Sequence, residues 1–188
     1  MVPDPGALRR ALIAAGARET FRGMLRDRRL ERPDSPEADQ VLRIRQWQPA
    51  PGSERVVVGW KGPVSVSPEG YKHREEVECT VLDAAEALAL FVALGYRVAQ
   101  IIDRFVVVYQ LAEGVARLEW YPRMDVLVEI EGSAGGIERM ITATGLPRGG
   151  YLPDSLAAFA ARYEARTGRP AVLAEAGLLG EPPSWSAA

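Results

Sequence analysis

Arginine and glutamate recur at two-residue spacing along several short runs of this chain. Val41–Trp47 carries Arg43 and Arg45, and Lys72–Val81 carries Arg74, Glu76 and Glu78. Val115–Trp120 carries Arg117 and Glu119, and Asp125–Gly132 carries Asp125, Glu129 and Glu131. Lys61 closes the run Arg55–Lys61, and Arg104 opens the apolar run Phe105–Tyr109. Side chains two apart on a β-strand share a face. Each run therefore sets its charges against apolar residues on the other face: Leu42 and Ile44, Val77 and Cys79, Leu118 and Trp120, Val128 and Ile130. Guanidinium groups match phosphate oxygens in pairs, and an ammonium adds a point charge. Carboxylates repel phosphate and meet it only through a divalent cation, which takes carboxylate and phosphate oxygens together. Two readings follow. Taken singly, such a strand has one solvated face, with charges paired across strands at little gain. Taken together along the inside of a curved sheet, the charges make a metal–polyphosphate site, where the ion acts as Lewis acid and activates water.

The elements that must hold these residues follow from periodicity and punctuation. Ala7–Ala15 predicts a short amphipathic helix stopped by Gly16, and Arg18–Asp39 an irregular strand and loop. Val41–Trp47 and Arg55–Lys61 form a hairpin through Pro-Ala-Pro-Gly; 64–71 is a loop, and Lys72–Val81 the next strand. Asp83 caps a helix over Ala84–Leu94. Strands follow at Val98–Leu111, Val115–Trp120 and Asp125–Gly132, then helices at Ile137–Thr144 and Ser155–Thr167. This order predicts an α+β fold, an antiparallel curved sheet or open barrel with flanking helices. Residues 1–172 are expected to form one domain and 173–188 a flexible tail.

Composition narrows the classes. The chain has 188 residues, 47% hydrophobic and 26% charged, with a formal net charge of −2. Such a balance provides no basic footprint for nucleic acid, so any affinity for a polyanion must come from local clustering. One cysteine and one histidine cannot build a nitrogen–sulfur zinc site, and a lone cysteine suits a reducing cytoplasm. No run approaches a membrane span. Lys61 and Lys72 are the only lysines, and the arginine-, alanine-, glycine- and proline-rich usage suggests a GC-rich bacterial genome. His73 is expected beside a helix and Cys79 in the core. Trp47 suits either base stacking or a barrel mouth, and Arg26, Arg28, Arg29 and Arg32 suit a solvated loop.

The order of the charged segments resembles the CYTH superfamily, the triphosphate tunnel metalloenzymes, which include class IV adenylyl cyclases and thiamine triphosphatases. The matching pieces are Leu42-Arg43-Ile44-Arg45, Trp60-Lys61-Gly62-Pro63 and Arg74-Glu75-Glu76-Val77-Glu78, then Leu94-Gly95-Tyr96, Asp103-Arg104, Leu118-Glu119 and Val128-Glu129-Ile130-Glu131-Gly132. They run from about Ala7 to Tyr163. The resemblance implies an eight-stranded antiparallel tunnel holding a nucleoside, thiamine or inorganic triphosphate with Mg2+ or Mn2+. It implies Arg43, Arg45, Lys61, Arg74 and Arg104 as phosphate ligands, and we group Arg117 with them. Glu129, Glu131, Glu76 and Glu78 become metal ligands, and Glu119 and Lys61 the catalytic pair.

Three departures stand out. The family opens with Glu-Xaa-Glu-Xaa-Lys on a strand before the helix that here begins at Ala7. That segment is missing from this sequence, which implies either a gene start placed downstream of the true one or the loss of a strand and two metal carboxylates; a helix at the very N-terminus favours the first. Ile102 stands where a basic residue is usual, and Glu119 where aspartate is usual. Three functions are carried forward: a metal-dependent triphosphate hydrolase, an adenylyl cyclase, and a triphosphate binder without turnover. The protein is expected to be a monomer or homodimer, with no nucleic-acid or membrane partner.

Overall fold

The computed structural model describes residues 1–34 and 39–188. The loop prediction around Pro36 lies outside the described residues. Among the described residues there are four α-helices: α1 (Pro5–Ala14), α2 (Ala84–Ala93), α3 (Ala134–Thr144) and α4 (Leu156–Thr167). Each opens on a side-chain cap, Asp4, Asp83, Ser133 or Ser155, accepting from a backbone N–H of its first turn. Among the described residues no helix is long and apolar enough to cross a membrane.

The fold is α+β, built on a seven-stranded antiparallel sheet. Its strands are β1 (Arg18–Glu31), β2 (Val41–Pro49), β3 (Arg55–Lys61), β6 (Glu76–Val81), β7 (Arg97–Leu111), β8 (Gly114–Trp120) and β9 (Leu127–Gly132). They run in the order β6-β3-β2-β1-β7-β8-β9, an open sheet with β6 and β9 as edges. A separate small hairpin joins β4 (Ser65–Val66) to β5 (Lys72–His73). The chain divides into two compact units, Gly23–Asp103 and Met1–Arg22 with Arg104–Ala188.

In the Gly23–Asp103 unit, the core is Leu30, Ile44 and Val56, closed by Ala84, Ala87, Leu88 and Phe91 of α2. A buried aliphatic side chain of this kind contributes roughly 1.5–3 kcal/mol. Only one face of α2 is used this way; Leu90 and Val92 are exposed. In the other unit, Leu8 and Leu12 of α1 and Met140 of α3 pack on Val107, Tyr109, Ala116, Leu118 and Trp120 of β7 and β8. Helix α3 comes so close to β8 that a Cβ at Gly114 would lie 2.5 Å from the Gly136 carbonyl oxygen. That approach requires glycine at the contact.

Four sequence expectations change. Arg18–Glu31 is a regular 14-residue strand. Its buried alternation passes through Leu25 and Asp27, and a charged residue in the buried series hides the pattern from hydropathy. Lys72–Val81 is broken, since Lys72-His73 pairs with Ser65-Val66 while Arg74 and Glu75 lie between strands. His73 and Cys79 are both exposed, contrary to the packed positions expected for them. Asp125 falls before β9 and is paired with Arg166 of α4 at 2.5 Å.

Candidate functional site

The charged face of the Gly23–Asp103 unit is set by register. Asp27 lies opposite Arg45, Arg43 opposite Gly59, Gly59 opposite Glu78, and Lys61 opposite Glu76. Arg45 donates from Nε and Nη2 to the two carboxylate oxygens of Asp27 at 2.7 and 2.8 Å, with both side chains buried. Arg43 Nη2 reaches Glu78 Oε1 at 3.4 Å across Gly59. A Cβ at Gly59 would come within 3.3 Å of that oxygen and 3.6 Å of Arg43 Nε, so the missing side chain leaves room for the pair. Lys61 Nζ donates to Glu76 Oε1 at 2.6 Å. Trp47 takes the guanidinium groups of Arg45 and Arg55 at 5.5 and 5.6 Å from its ring, so it already serves two cations.

Arg74 is held elsewhere. It donates to Asp39 Oδ1 at 2.6 Å and to the carbonyls of Asp39 and Gly62 at 2.5 and 2.8 Å, tying together segments that flank β2 and β3. Arg26 and Arg28, expected on a solvated loop, lie on β1 instead. Both face the buried Asp103, Arg28 at 3.1 Å and Arg26 at 3.8 Å.

The second cluster belongs to β7, β8 and β9. Arg117 faces Val108 on one side and Glu129 on the other, while Glu119 faces Val106. Strand alternation sends Ala116, Leu118 and Trp120 into the apolar core and Arg117, Glu119 and Tyr121 to the opposite face. Glu119 is 5% exposed, and both its oxygens are engaged. Oε1 accepts from Arg104 Nε at 3.0 Å and Arg117 Nε at 2.9 Å, and Oε2 accepts from the Tyr121 hydroxyl at 2.5 Å. Arg117 Nη2 donates to Glu129 and, at 3.4 Å, to Glu131. Burial opposes the Arg117 charge, but Glu129, Glu131 and Glu119 outweigh it and hold the guanidinium well above its ordinary pKa. Burial, reinforced by the neighbouring Glu119, likewise pushes the Tyr121 hydroxyl well up.

Tyr121 and Asp27 were missed in the sequence. Tyr121 ends the two-residue series Arg117, Glu119, Tyr121, which a longer reading of that strand would have included. The tail braces the segment after it. Val172 and Arg123 exchange backbone bonds of 2.8 and 3.1 Å, and Ser184 N donates to the Pro122 carbonyl at 3.3 Å.

Each predicted phosphate ligand thus holds a carboxylate, and each glutamate assigned to a metal holds a cation. Glu76 has Lys61, Glu78 has Arg43, and Glu129 and Glu131 share Arg117. Among the described residues no group of three or more His, Cys, Asp or Glu is arranged to hold a metal ion. As arranged, the carboxylates fit arginine better than a resident divalent ion, which needs several of their oxygens free.

No family model matches the chain, and no curated protein matches it. Its fold does recur among solved structures. A protein from Pyrococcus horikoshii aligns with a TM-score of 0.66 at 18% identity, over 83% of this chain and 93% of its own. A putative adenylate cyclase from Vibrio parahaemolyticus aligns at 0.68 and 15% identity, over 84% and 92%. A putative adenylyl cyclase from Hippeastrum, described as having a dominant triphosphatase activity, aligns at 0.55 and 17% identity, over 92% and 95%. At such identities the likeness is one of fold, an α+β architecture built on an antiparallel sheet.

Proposed function

We propose that the chain binds a triphosphate through arginine and lysine side chains of its charged strand faces, and hydrolyses it. The divalent ion, Mg2+ or Mn2+, arrives as part of the triphosphate complex. One observation carries this reading: Arg43, Arg45, Arg104 and Arg117 are all under a tenth exposed, yet lie on the faces turned away from the apolar cores. A merely solvated face leaves its guanidinium groups in water. Burying four of them costs desolvation that ion pairing seldom repays in stability, so the arrangement favours a ligand role. Phosphate oxygens would replace carboxylate oxygens as acceptors on the same N–H groups, and Arg45, which holds Asp27 through two of them, is already set for bidentate contact.

In hydrolysis, water attacks the terminal phosphorus, the bond to the bridging oxygen breaks, and diphosphate leaves with its charge held by cationic side chains. The fold shared with the Hippeastrum protein supports hydrolysis ahead of cyclisation. A second reading, binding without turnover, draws on Glu119, whose two oxygens already accept three donors and so have little capacity to take a proton from water. A triphosphate-rich, reducing cytoplasm is the compartment this function requires.

The test incubates the protein with tripolyphosphate, thiamine triphosphate or ATP, each with Mg2+, with Mn2+ and with EDTA. Phosphate release supports hydrolysis. Cyclic AMP from ATP would instead support cyclase chemistry, the attack of the ribose 3′-hydroxyl on the α-phosphorus. A raised melting temperature without product supports binding alone. No thermal shift with any triphosphate overturns the proposal.

A further inference from the structure

Arg117 sits where a divalent ion would be expected to sit. Its Nε donates to Glu119, and its Nη2 donates to both Glu129 and Glu131, so one guanidinium is the common partner of three carboxylates from two neighbouring strands. The side chain is 9% exposed, and the register of β8 and β9 sets Arg117 directly opposite Glu129. Glu119 already accepts from Arg104, Arg117 and Tyr121. A metal entering this cluster must therefore displace a charge-assisted network, and must strip buried groups of their partners to do so.

We propose that Arg117 is a built-in cation that replaces a resident divalent metal among Glu119, Glu129 and Glu131. The inference rests on the triphosphate reading for what the cluster serves. The two N–H groups on Arg117 Nη1 are not used by the three carboxylates, and a phosphate oxygen can take them without a metal bridge. Balance of charge points the same way. With Arg117 in place, three carboxylates face two guanidinium groups, a modest residual negative charge. With a neutral side chain there, the deficit grows to two, which a divalent ion matches.

The experiment measures Mn2+ binding to the full chain by titration calorimetry and by the loss of the free-ion paramagnetic resonance signal. The proteins are the wild type, Arg117→Met, Arg117→Lys, Glu129→Gln/Glu131→Gln, and Arg117→Met combined with both glutamine changes. The wild type and Arg117→Lys are expected to bind Mn2+ weakly, Arg117→Met at least tenfold more tightly, and the combined variant weakly again. A wild-type site that binds Mn2+ at one equivalent, is no weaker than in Arg117→Met, and is lost in Glu129→Gln/Glu131→Gln overturns the proposal. Should Arg117→Met fail to fold by circular dichroism, the wild type and its double glutamine variant decide. Equal, weak Mn2+ affinity supports the proposal, and a loss on removing the glutamates overturns it. Tripolyphosphate binding by the wild type is read separately by thermal shift, with Mg2+, with Mn2+ and in EDTA. If it is absent, the triphosphate reading fails, while the Mn2+ titrations still report what fills the cluster.

Discussion

The Tyr121 hydroxyl donates to Glu119 Oε2 at 2.5 Å, and both side chains are buried. Glu119 Oε1 is held by two guanidinium groups, so Tyr121 is the donor that fixes the carboxylate's remaining oxygen and with it the plane in which Arg104 and Arg117 are presented. Tyr121→Phe removes that donor without changing the ring. A buried acceptor left unsatisfied costs about 1–3 kcal/mol, and more when charged. Urea unfolding should show a loss of that order. A change within a few tenths of a kcal/mol would mean that Glu119 does not depend on Tyr121.

The same contact has a pH signature. Burial and the adjacent Glu119 raise the Tyr121 pKa well above the ordinary value of 10.0. Below the ordinary value the hydroxyl is protonated in both folded and unfolded chains, and its contribution is fully present. As pH rises past about 10, the unfolded chain releases the proton while the folded chain keeps it, so stability falls by up to about 1.4 kcal/mol per pH unit until the folded value is reached. Tyr109 and Tyr151 are also raised by burial, and they remain in the variant. The stability gap between wild type and Tyr121→Phe should therefore narrow between about pH 9 and pH 11. A gap that stays constant or widens would remove Tyr121 as the source.

Much of this architecture was legible before any coordinates, and the reasons differ by residue. Arg43 and Arg45 alternate with Leu42 and Ile44, and the period of two placed each on its correct face. Arg117 and Glu119 alternate with Leu118 in the same way. What periodicity could not supply was partnership. Asp27 and Arg45 are 18 residues apart, Arg43 and Glu78 are 35 apart, and only strand register brings them opposite. Arg74 was misread for a different reason. Its spacing from Glu76 fits a strand, but β5 ends at His73, and backbone carbonyls of Asp39 and Gly62 take the guanidinium into the loop.

The Asp27–Arg45 pair carries a sharper stability prediction. Both groups are under a twentieth exposed, and their two hydrogen bonds are parallel. Asp27→Asn leaves a buried guanidinium without its counter-charge, and roughly 3–5 kcal/mol of stability should be lost. Replacing both members, Asp27→Leu with Arg45→Met, should cost much less, because neither charge is then stranded. Chemical denaturation of Asp27→Leu, Arg45→Met and the double variant measures the coupling. A double variant as unstable as the sum of the two single variants would show that the pair is not coupled.

Lys61 and Glu76 form the most accessible pair in the charged set, with side chains 20% and 45% exposed and 2.6 Å between Nζ and Oε1. A triphosphate that uses Lys61 must first draw it away from Glu76, and an exposed pair of this kind is worth about 0.2–1 kcal/mol. Glu76→Gln should therefore tighten tripolyphosphate binding about two- to fivefold in EDTA, and Lys61→Ala should weaken it. Salt should reduce the gain, since the pair is open to screening. The CYTH resemblance assigns Glu76 to a metal ion instead, and that role predicts the reverse: Glu76→Gln would leave binding in EDTA unchanged and weaken it only when Mn2+ is present. Calorimetry of the variant with and without Mn2+ separates the two roles of one carboxylate.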